Sequence, residues 1–280
     1  MNIQSAIIEG TNILNNKFIQ TAKLDTEILM AKAIGKDRKY IILNNYENIK
    51  KKDLKYFKKL INERASNKPI AHLVNRKNFW DFEFFVTKDT LIPRPDTELI
   101  IEQILNLTKF KKNLNILDIG VGSGCIILTI LKEKKTFQGT GIDISKKCIN
   151  TSKINAKILK VDKRIRFYKS DVDKFSFGKY DIIVSNPPYI VKHKIKYLER
   201  NVAEFEPRLA LNGGLDGLSE IRKVIKKSSE LIKKNGKFIL EIGFDQKNKV
   251  INLLKQKGFY INSALKDFAN NDRCIICTKI

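Results

Sequence analysis

Seven short apolar runs, at residues 114–119, 137–142, 165–168, 181–184, 237–242, 260–264 and 274–278, alternate with stretches of helical periodicity. Strands that alternate with helices in this way bury both faces of a sheet, which restricts the segment to a doubly wound α/β fold. The last two runs leave no room for a helix between them. A seven-stranded sheet that finishes in an antiparallel hairpin is therefore predicted. Ahead of this region, residues 3–65 place apolar side chains at spacings of three and four, as in Leu24, Ile28 and Leu29 or Leu54, Phe57, Leu60 and Ile61, which predicts a small bundle of about four helices. Residues 69–95 change character: Phe79, Trp80, Phe82, Phe84, Phe85 and Val86 are aromatic or β-branched, and Ile92-Pro93-Arg94-Pro95 ends the stretch. The expected organisation is a helical bundle at 1–68, a β-hairpin linker at 69–95 and an α/β domain at 96–280.

Composition removes several function classes. The longest apolar runs fall far short of the roughly 18–20 residues of a membrane span. Residues 1–10 carry no basic residue ahead of an apolar core, so a cytoplasmic address is expected, without membrane association. Four cysteines, Cys125, Cys148, Cys274 and Cys277, make no disulfide framework. With only His72 and His193 available, zinc hydrolases built on paired histidines are excluded, and no metal is expected. Cys274-Ile275-Ile276-Cys277 has zinc-like spacing, but no second ligand pair follows it and the segment alternates like a terminal strand. The formal net charge of +24 would suit a polyanionic partner. Lysine far outnumbers arginine, however, and is scattered along the chain without interleaved aromatics, so a generic solvated surface is expected and not a dedicated nucleic-acid face.

The most informative local feature is Leu117-Asp118-Ile119-Gly120-Val121-Gly122-Ser123-Gly124, which follows a strand run and opens a helix. Glycines let a ligand approach the backbone closely, and the helix N-terminus offers unpaired N–H groups to an anion. Asp143 follows at the end of the next strand run, where a carboxylate can accept hydrogen bonds from both ribose hydroxyls of an adenosine ligand. A P-loop nucleotide is excluded, since no Gly-Lys-Ser/Thr closes the loop. A nicotinamide dinucleotide would want a glycine at Cys125. S-adenosylmethionine, which carries no pyrophosphate, fits better. Asp118 either holds the loop's N–H groups or meets the ligand's ammonium.

The second motif is Asn186-Pro187-Pro188-Tyr189, after the fourth strand run, at the carboxyl end of a central strand, where open α/β sheets bind ligands. The Asn186 side-chain oxygen and the Pro187 carbonyl can together accept both hydrogens of a planar NH₂ group, and Tyr189 offers an aromatic face. Such an arrangement turns the nitrogen lone pair toward an electrophile. The acceptor is a carboxamide or an exocyclic base amine.

These residues resemble the class I S-adenosylmethionine-dependent methyltransferases with an Asn-Pro-Pro-Tyr motif, and more narrowly the protein glutamine N5-methyltransferases that modify peptide-chain release factors. The resemblance runs over nearly the whole chain. Besides the two motifs it includes segments 91–98 (Leu-Ile-Pro-Arg-Pro-Asp-Thr-Glu), 205–211 (Phe-Glu-Pro-Arg-Leu-Ala-Leu) with Gly213-Gly214 and Asp216-Gly217-Leu218, and 240–246 (Leu-Glu-Ile-Gly-Phe-Asp-Gln). It implies a Rossmann-like methyltransferase sheet and an N-terminal domain that docks the protein substrate. It further implies a monomer with no obligatory nucleic acid, acting on the glutamine of a Gly-Gly-Gln loop in release factors. By the same resemblance, Gly120, Val121, Gly122, Ser123 and Gly124 contact the cofactor, Asp143 binds its ribose and Val172 lies by the adenine. Asn186 would touch both cofactor and glutamine, with Pro187, Pro188 and Tyr189 completing the glutamine pocket.

The Asn-Pro-Pro-Tyr motif is shared with adenine-N6 methyltransferases of RNA and DNA, which remain an alternative. A sister family acting on a ribosomal protein differs at segment 91–98, with Pro-Arg-Ser-Pro there. A cofactor-bound assembly factor without catalysis is a third reading, opposed by the intact Asn186 and Tyr189. The chain departs from the family pattern at Asn75, where glycine is usual, and at Val172, where a bulkier residue is common. Arg94 and Glu206 either structure the substrate entrance or pair with each other.

Overall fold

Where apolar residues recur at helical spacing the chain coils, and where they run together it extends. In the computed structural model, which describes residues 1–280, five helices come first: α1 (Ile3–Asn15), α2 (Ala22–Ile34), α3 (Arg38–Leu43), α4 (Lys51–Ala65) and α5 (Ile70–Val74). The Asn2 side chain caps α1 by accepting from Ser5 N–H, and Asp37 caps α3 by accepting from Tyr40 N–H. Leu14, Leu29, Met30, Phe57 and Ile61 form the centre of their shared core. A Cβ at Gly10 would lie 2.9 Å from Thr26 Cγ2 and 3.0 Å from Phe57, so the helices approach at a point only glycine allows. The short α5 occupies the start of the stretch read as linker, and its Leu73 joins the same core. It ends at Asn75 with φ 59°, the left-handed conformation that glycine adopts freely and asparagine tolerates, which accounts for the departure from glycine there.

The hairpin follows as β1 (Arg76–Phe79) and β2 (Phe82–Phe85). Beyond it come α6 (Glu98–Leu107), β3 (Asn115–Ile119), α7 (Cys125–Glu133), β4 (Gln138–Asp143), α8 (Lys146–Ile158), β5 (Ile165–Lys169), β6 (Tyr180–Ser185), α9 (Arg200–Ala203), α10 (Arg208–Leu211), α11 (Ser219–Leu231), β7 (Ile232–Glu241), α12 (Lys247–Gln256), β8 (Phe259–Lys266) and β9 (Asp272–Lys279). The chain forms two compact units, Met1–Arg76 with Glu199–Phe205, and Lys77–Leu198 with Glu206–Ile280. No helix is long and apolar enough to cross a membrane.

The seven-stranded sheet has the order β5-β4-β3-β6-β7-β9-β8. β5 through β7 are parallel, and β9 pairs antiparallel with both β7 and β8, so the terminal hairpin stands as expected. Two apolar layers cover the sheet. Ile100 and Ile104 of α6, Ile127 and Leu131 of α7 and Ile149 of α8 pack on one face. Ile221 and Ile225 of α11 with Val250 and Leu254 of α12 pack on the other. Strand β7 begins at Ile232, earlier than the apolar run suggested, because a register shift between Tyr180 and Ile182 and a left-handed Asn235 (φ 62°) carry a lysine-rich bulge into the sheet.

One polar side chain fastens the hairpin to the sheet domain. Asn155 of α8 is fully buried, accepts from Phe85 N–H at 2.8 Å and donates to the carbonyls of Phe85 (2.9 Å) and Ser123 (2.8 Å). Its loss would leave three main-chain groups without this partner, the Ser123 carbonyl among them buried. Asn155→Ala is expected to cost about 2–4 kcal/mol in urea denaturation, with little change in the slope of the transition.

Candidate active site

The first half of the site is the turn out of β3. Gly120, Gly122 and Gly124 all take positive φ, at 79°, 55° and 83°. The N–H groups of Gly120 and Val121 both donate to Ile142 O, each at 2.9 Å, which ties the turn to the end of β4. A Cβ on Gly120 would meet nothing within 4 Å, so that backbone stands open to a ligand. At Gly124 a Cβ would lie 2.7 Å from Leu128 Cδ1, so this glycine serves the packing of α7 instead.

Asp143 closes the loop from β4. Its Oδ2 accepts from Gly122 N–H at 2.9 Å and its Oδ1 from Ser145 N–H at 2.8 Å. Burial raises its pKa, opposed by those two amide bonds. Asp118, beneath the loop, is 1% exposed, and neither carboxyl oxygen has a hydrogen-bond partner. The expectation that it holds the loop's N–H groups therefore finds no bonds to support it. Burial pushes its carboxyl up to about 7, the charge of Asp143 adds to the rise, and the Ile127 amide offsets only part of it.

The second half starts where β6 ends. Ser185 pairs with Ile119 in parallel register and its Oγ donates to Ile119 O at 2.7 Å, which sets Asn186 beside the glycine turn. Past Tyr189 the chain is held by Ile190 N–H to Leu211 O (3.1 Å) and Gly213 N–H to Ile190 O (2.8 Å). Gln246 Nε2 donates to both Tyr189 O and Gly217 O at 3.0 Å. A Cβ on Gly213 would come within 2.9 Å of Pro188 O, so the two segments press together.

Asn186 Nδ2 donates to Thr97 Oγ1 at 3.2 Å, and Thr97 Oγ1 donates to Glu241 Oε2 at 2.7 Å. Glu241 is buried at the end of β7, and burial pushes its carboxyl up to about 7 against the pull of the Thr97 hydrogen bond and Arg273. The Tyr189 hydroxyl donates to Glu241 Oε1 at 3.4 Å and accepts from Arg273 at 3.3 Å, and burial raises its pKa. Arg273 is held in turn by Asp267 at 2.9 Å. Arg94 and Glu206 pair with each other, and Glu206 also accepts from Ile92 N–H at 3.1 Å.

Both halves line one cavity of about 520 Å³, in the range of small-molecule sites. Its wall includes Gly120, Val121, Gly122, Ser123, Asp143, Val172, Asn186, Pro187 and Pro188. Gly124 and Tyr189 stand outside that wall. Thr97 lines it, and Glu241 and Arg273 stand behind it. The sequence reading gave these three no role, because their partners are far away in the chain. Segments 91–98 and 240–246 had nonetheless marked Thr97 and Glu241.

Other singled-out residues lie elsewhere. Cys274 and Cys277 are both buried in β9 but belong to the apolar layers on opposite faces of the sheet, so the pair does not converge. No three His, Cys, Asp or Glu side chains are grouped to hold a metal ion. His72 is in α5 and His193 in a 3₁₀ turn, and neither lines the cavity.

The raised pKa of Asp118 makes stability depend on pH. A carboxyl whose folded pKa lies above its unfolded value contributes stability that is complete below about 4 and is lost as pH rises through about 7. Asp118→Asn removes that loss, while the slope from Glu241 is common to both proteins and cancels. The variant is expected to gain on the unsubstituted chain as pH rises from 4.5 to 8, by about 3 kcal/mol. Urea denaturation at the two pH values, without ligand, checks it.

The sequence matches the family model described as methyltransferase small domain over residues 95–238 and that of the PrmC N-terminal domain over residues 5–74. It is 34% identical over 282 residues to a release factor glutamine methyltransferase of Clostridium acetobutylicum, covering 100% of this chain and 99% of that one. To the enzyme of the same name from Buchnera aphidicola subsp. Acyrthosiphon pisum it is 35% identical, again over 100% and 99% of the two chains. Among solved structures, a ribosomal protein L11 methylase from Lactobacillus delbrueckii subsp. bulgaricus aligns with 72% of this chain and 88% of its own, at 18% identity and a TM-score of 0.49. With full-length matches at this level and family models over residues 5–74 and 95–238, the chain belongs to the release factor glutamine methyltransferase family.

Proposed function

We propose that this chain transfers a methyl group from S-adenosylmethionine to the side-chain amide nitrogen of the glutamine in the Gly-Gly-Gln motif of peptide-chain release factors. The observation that carries the reading is the single cavity walled on one side by the glycine turn with Asp143 and on the other by Asn186-Pro187-Pro188. The residues present fit the methyl donor. Gly120 leaves the space a Cβ would fill, and Asp143 keeps unused lone pairs for ribose hydroxyls beside its two amide bonds. Val172 contributes an apolar wall for a base.

S-adenosylmethionine, when bound, supplies an electrophilic methyl group on a sulfonium. The chain's own residues then have to bind and orient the acceptor. Asn186 Oδ1 and the Pro187 carbonyl accept the two amide hydrogens, which keeps the nitrogen lone pair available for attack. The two prolines fix φ at both positions and so hold the direction of that carbonyl. No strong base stands in the wall, and a displacement of this kind needs positioning more than proton abstraction.

Segment 91–98 and the full-length relatives favour the release factor over an RNA or DNA adenine. The family resemblance implies a monomer, and a translation substrate supports action in the cytoplasm. The helices at 1–68, which carry a core of their own and match the PrmC N-terminal model, are the element proposed to dock the protein substrate.

Asn186→Ala is expected to lower transfer by at least about 100-fold while leaving S-adenosylmethionine affinity within a few-fold. Asp143→Ala should weaken that affinity first. Calorimetric titration beside a methyl-transfer assay separates the two, and equal loss of both properties in both variants would contradict the assignment. The substrate is tested with labelled S-adenosylmethionine on an unmethylated release factor, its Gln→Ala loop variant and total RNA. Label on the intact factor alone, mapped to the glutamine, is expected. Label on RNA, or equally on the loop variant, would overturn the reading.

A further inference from the structure

A carboxamide has two ends of similar shape and opposite hydrogen-bonding character. Asn186 can serve an NH₂ acceptor only with its oxygen turned toward it. Nothing in the Asn-Pro-Pro-Tyr backbone chooses that orientation, so the choice must come from what the other end of the amide meets.

The other end meets Thr97, which is 3% exposed in the turn before α6. A hydroxyl has one hydrogen to give. Thr97 gives it to Glu241 Oε2 at 2.7 Å, and above about pH 7, where Glu241 is ionised, that carboxylate has no hydrogen to return. Toward Asn186, Thr97 can therefore only accept, and Nδ2 is the end that donates to it at 3.2 Å. The reverse orientation would set Asn186 Oδ1 against the hydroxyl lone pairs with no hydrogen between them. It would also turn an N–H toward the acceptor's own N–H groups. Glu241 is itself fixed on its second oxygen by the Tyr189 hydroxyl, which Arg273 engages from behind.

We propose that Thr97, polarised by Glu241, is the positioning residue that orients the Asn186 amide with its oxygen toward the acceptor, and so selects an NH₂ group as the atom to be methylated. This rests on the reading of Asn186 as the acceptor-binding residue. Thr97 acts through Asn186 and contributes no proton transfer of its own.

The test uses the full chain with a release factor as acceptor and measures kcat, KM, S-adenosylmethionine affinity by calorimetry, and thermal stability. Thr97→Val keeps the shape and removes the hydroxyl. It is expected to lower kcat by roughly 10- to 100-fold with cofactor affinity within about threefold. Thr97→Ser restores the hydroxyl and should recover kcat to within about threefold. Glu241→Gln can turn an N–H toward Thr97, which frees the hydroxyl hydrogen for Asn186 Oδ1, so it too should lower kcat. The Thr97→Val/Glu241→Gln double variant should then be no slower than the slower single variant, since both act through the same amide.

Undiminished kcat in Thr97→Val, a serine variant as slow as the valine one, or losses that multiply in the double variant would each overturn the proposal. If Thr97→Val does not fold, the Thr97→Ser and Glu241→Gln measurements decide it: a slow serine variant or an unaffected glutamine variant overturns it. Failure of the unsubstituted chain to methylate the release factor glutamine would remove the proposed function and this proposal together. Normal transfer by the unsubstituted chain with an equally active Thr97→Val would remove this one alone.

Discussion

The parallel register of β3 between β4 and β6 is the constraint on which the site depends. Ile119 stands opposite Ile142 on one side and Ser185 on the other, and the Ser185 hydroxyl fastens the second pairing at Ile119 O. Three strands therefore end level, and the three chain segments leaving them, the glycine turn, Asp143 and Asn186-Pro187-Pro188, arrive at one cavity. A slip of one residue in either pairing would turn the side chains of that strand to the opposite face. The two apolar layers exclude that slip, since Ile116 packs in one and Leu117 and Ile119 in the other.

Features that local sequence encodes were legible before the fold. The seven strand runs could be read because apolar residues on both faces of a buried strand leave a continuous trace, and the glycine turn because positive φ selects glycine. The Asn75 departure is of the same kind, a left-handed position filled by the one other residue that tolerates it readily. What stayed hidden was distant in sequence. Thr97, Glu241 and Arg273 belong to three separate segments, and no local spacing relates them to one another or to Tyr189. The opening part of β7 was missed for a different reason: Lys233, Lys234 and Asn235 are polar residues carried on a bulge, where apolar patterning has no hold.

Two carboxyl groups are buried near the site, and their surroundings differ. At Asp118 only the Ile127 amide opposes burial, whereas Glu241 is held by Thr97 and Tyr189 with Arg273 nearby. The first is a cost borne by the fold. The second has its direction set by partners, so that its charge becomes a hydrogen-bonding instruction to the residue in front of it. Of the many cations behind the net charge of +24, Arg273 acts on Glu241, and Arg273 with Arg94 acts on Tyr189.

The amide of Asn155 joins the main chain of the hairpin at Phe85 to the main chain of the glycine turn at Ser123. Because it grips backbone and not side chain, it is indifferent to what residue 85 is and exacting about where residue 85 lies. This contact thus places no demand on the side chain at 85, only on the length of the hairpin, whose Phe79 and Phe84 are themselves buried in the core of the sheet domain. An inserted or deleted residue between Trp80 and Phe85 would move the gripped peptide and, through the same amide, disturb the wall of the cavity.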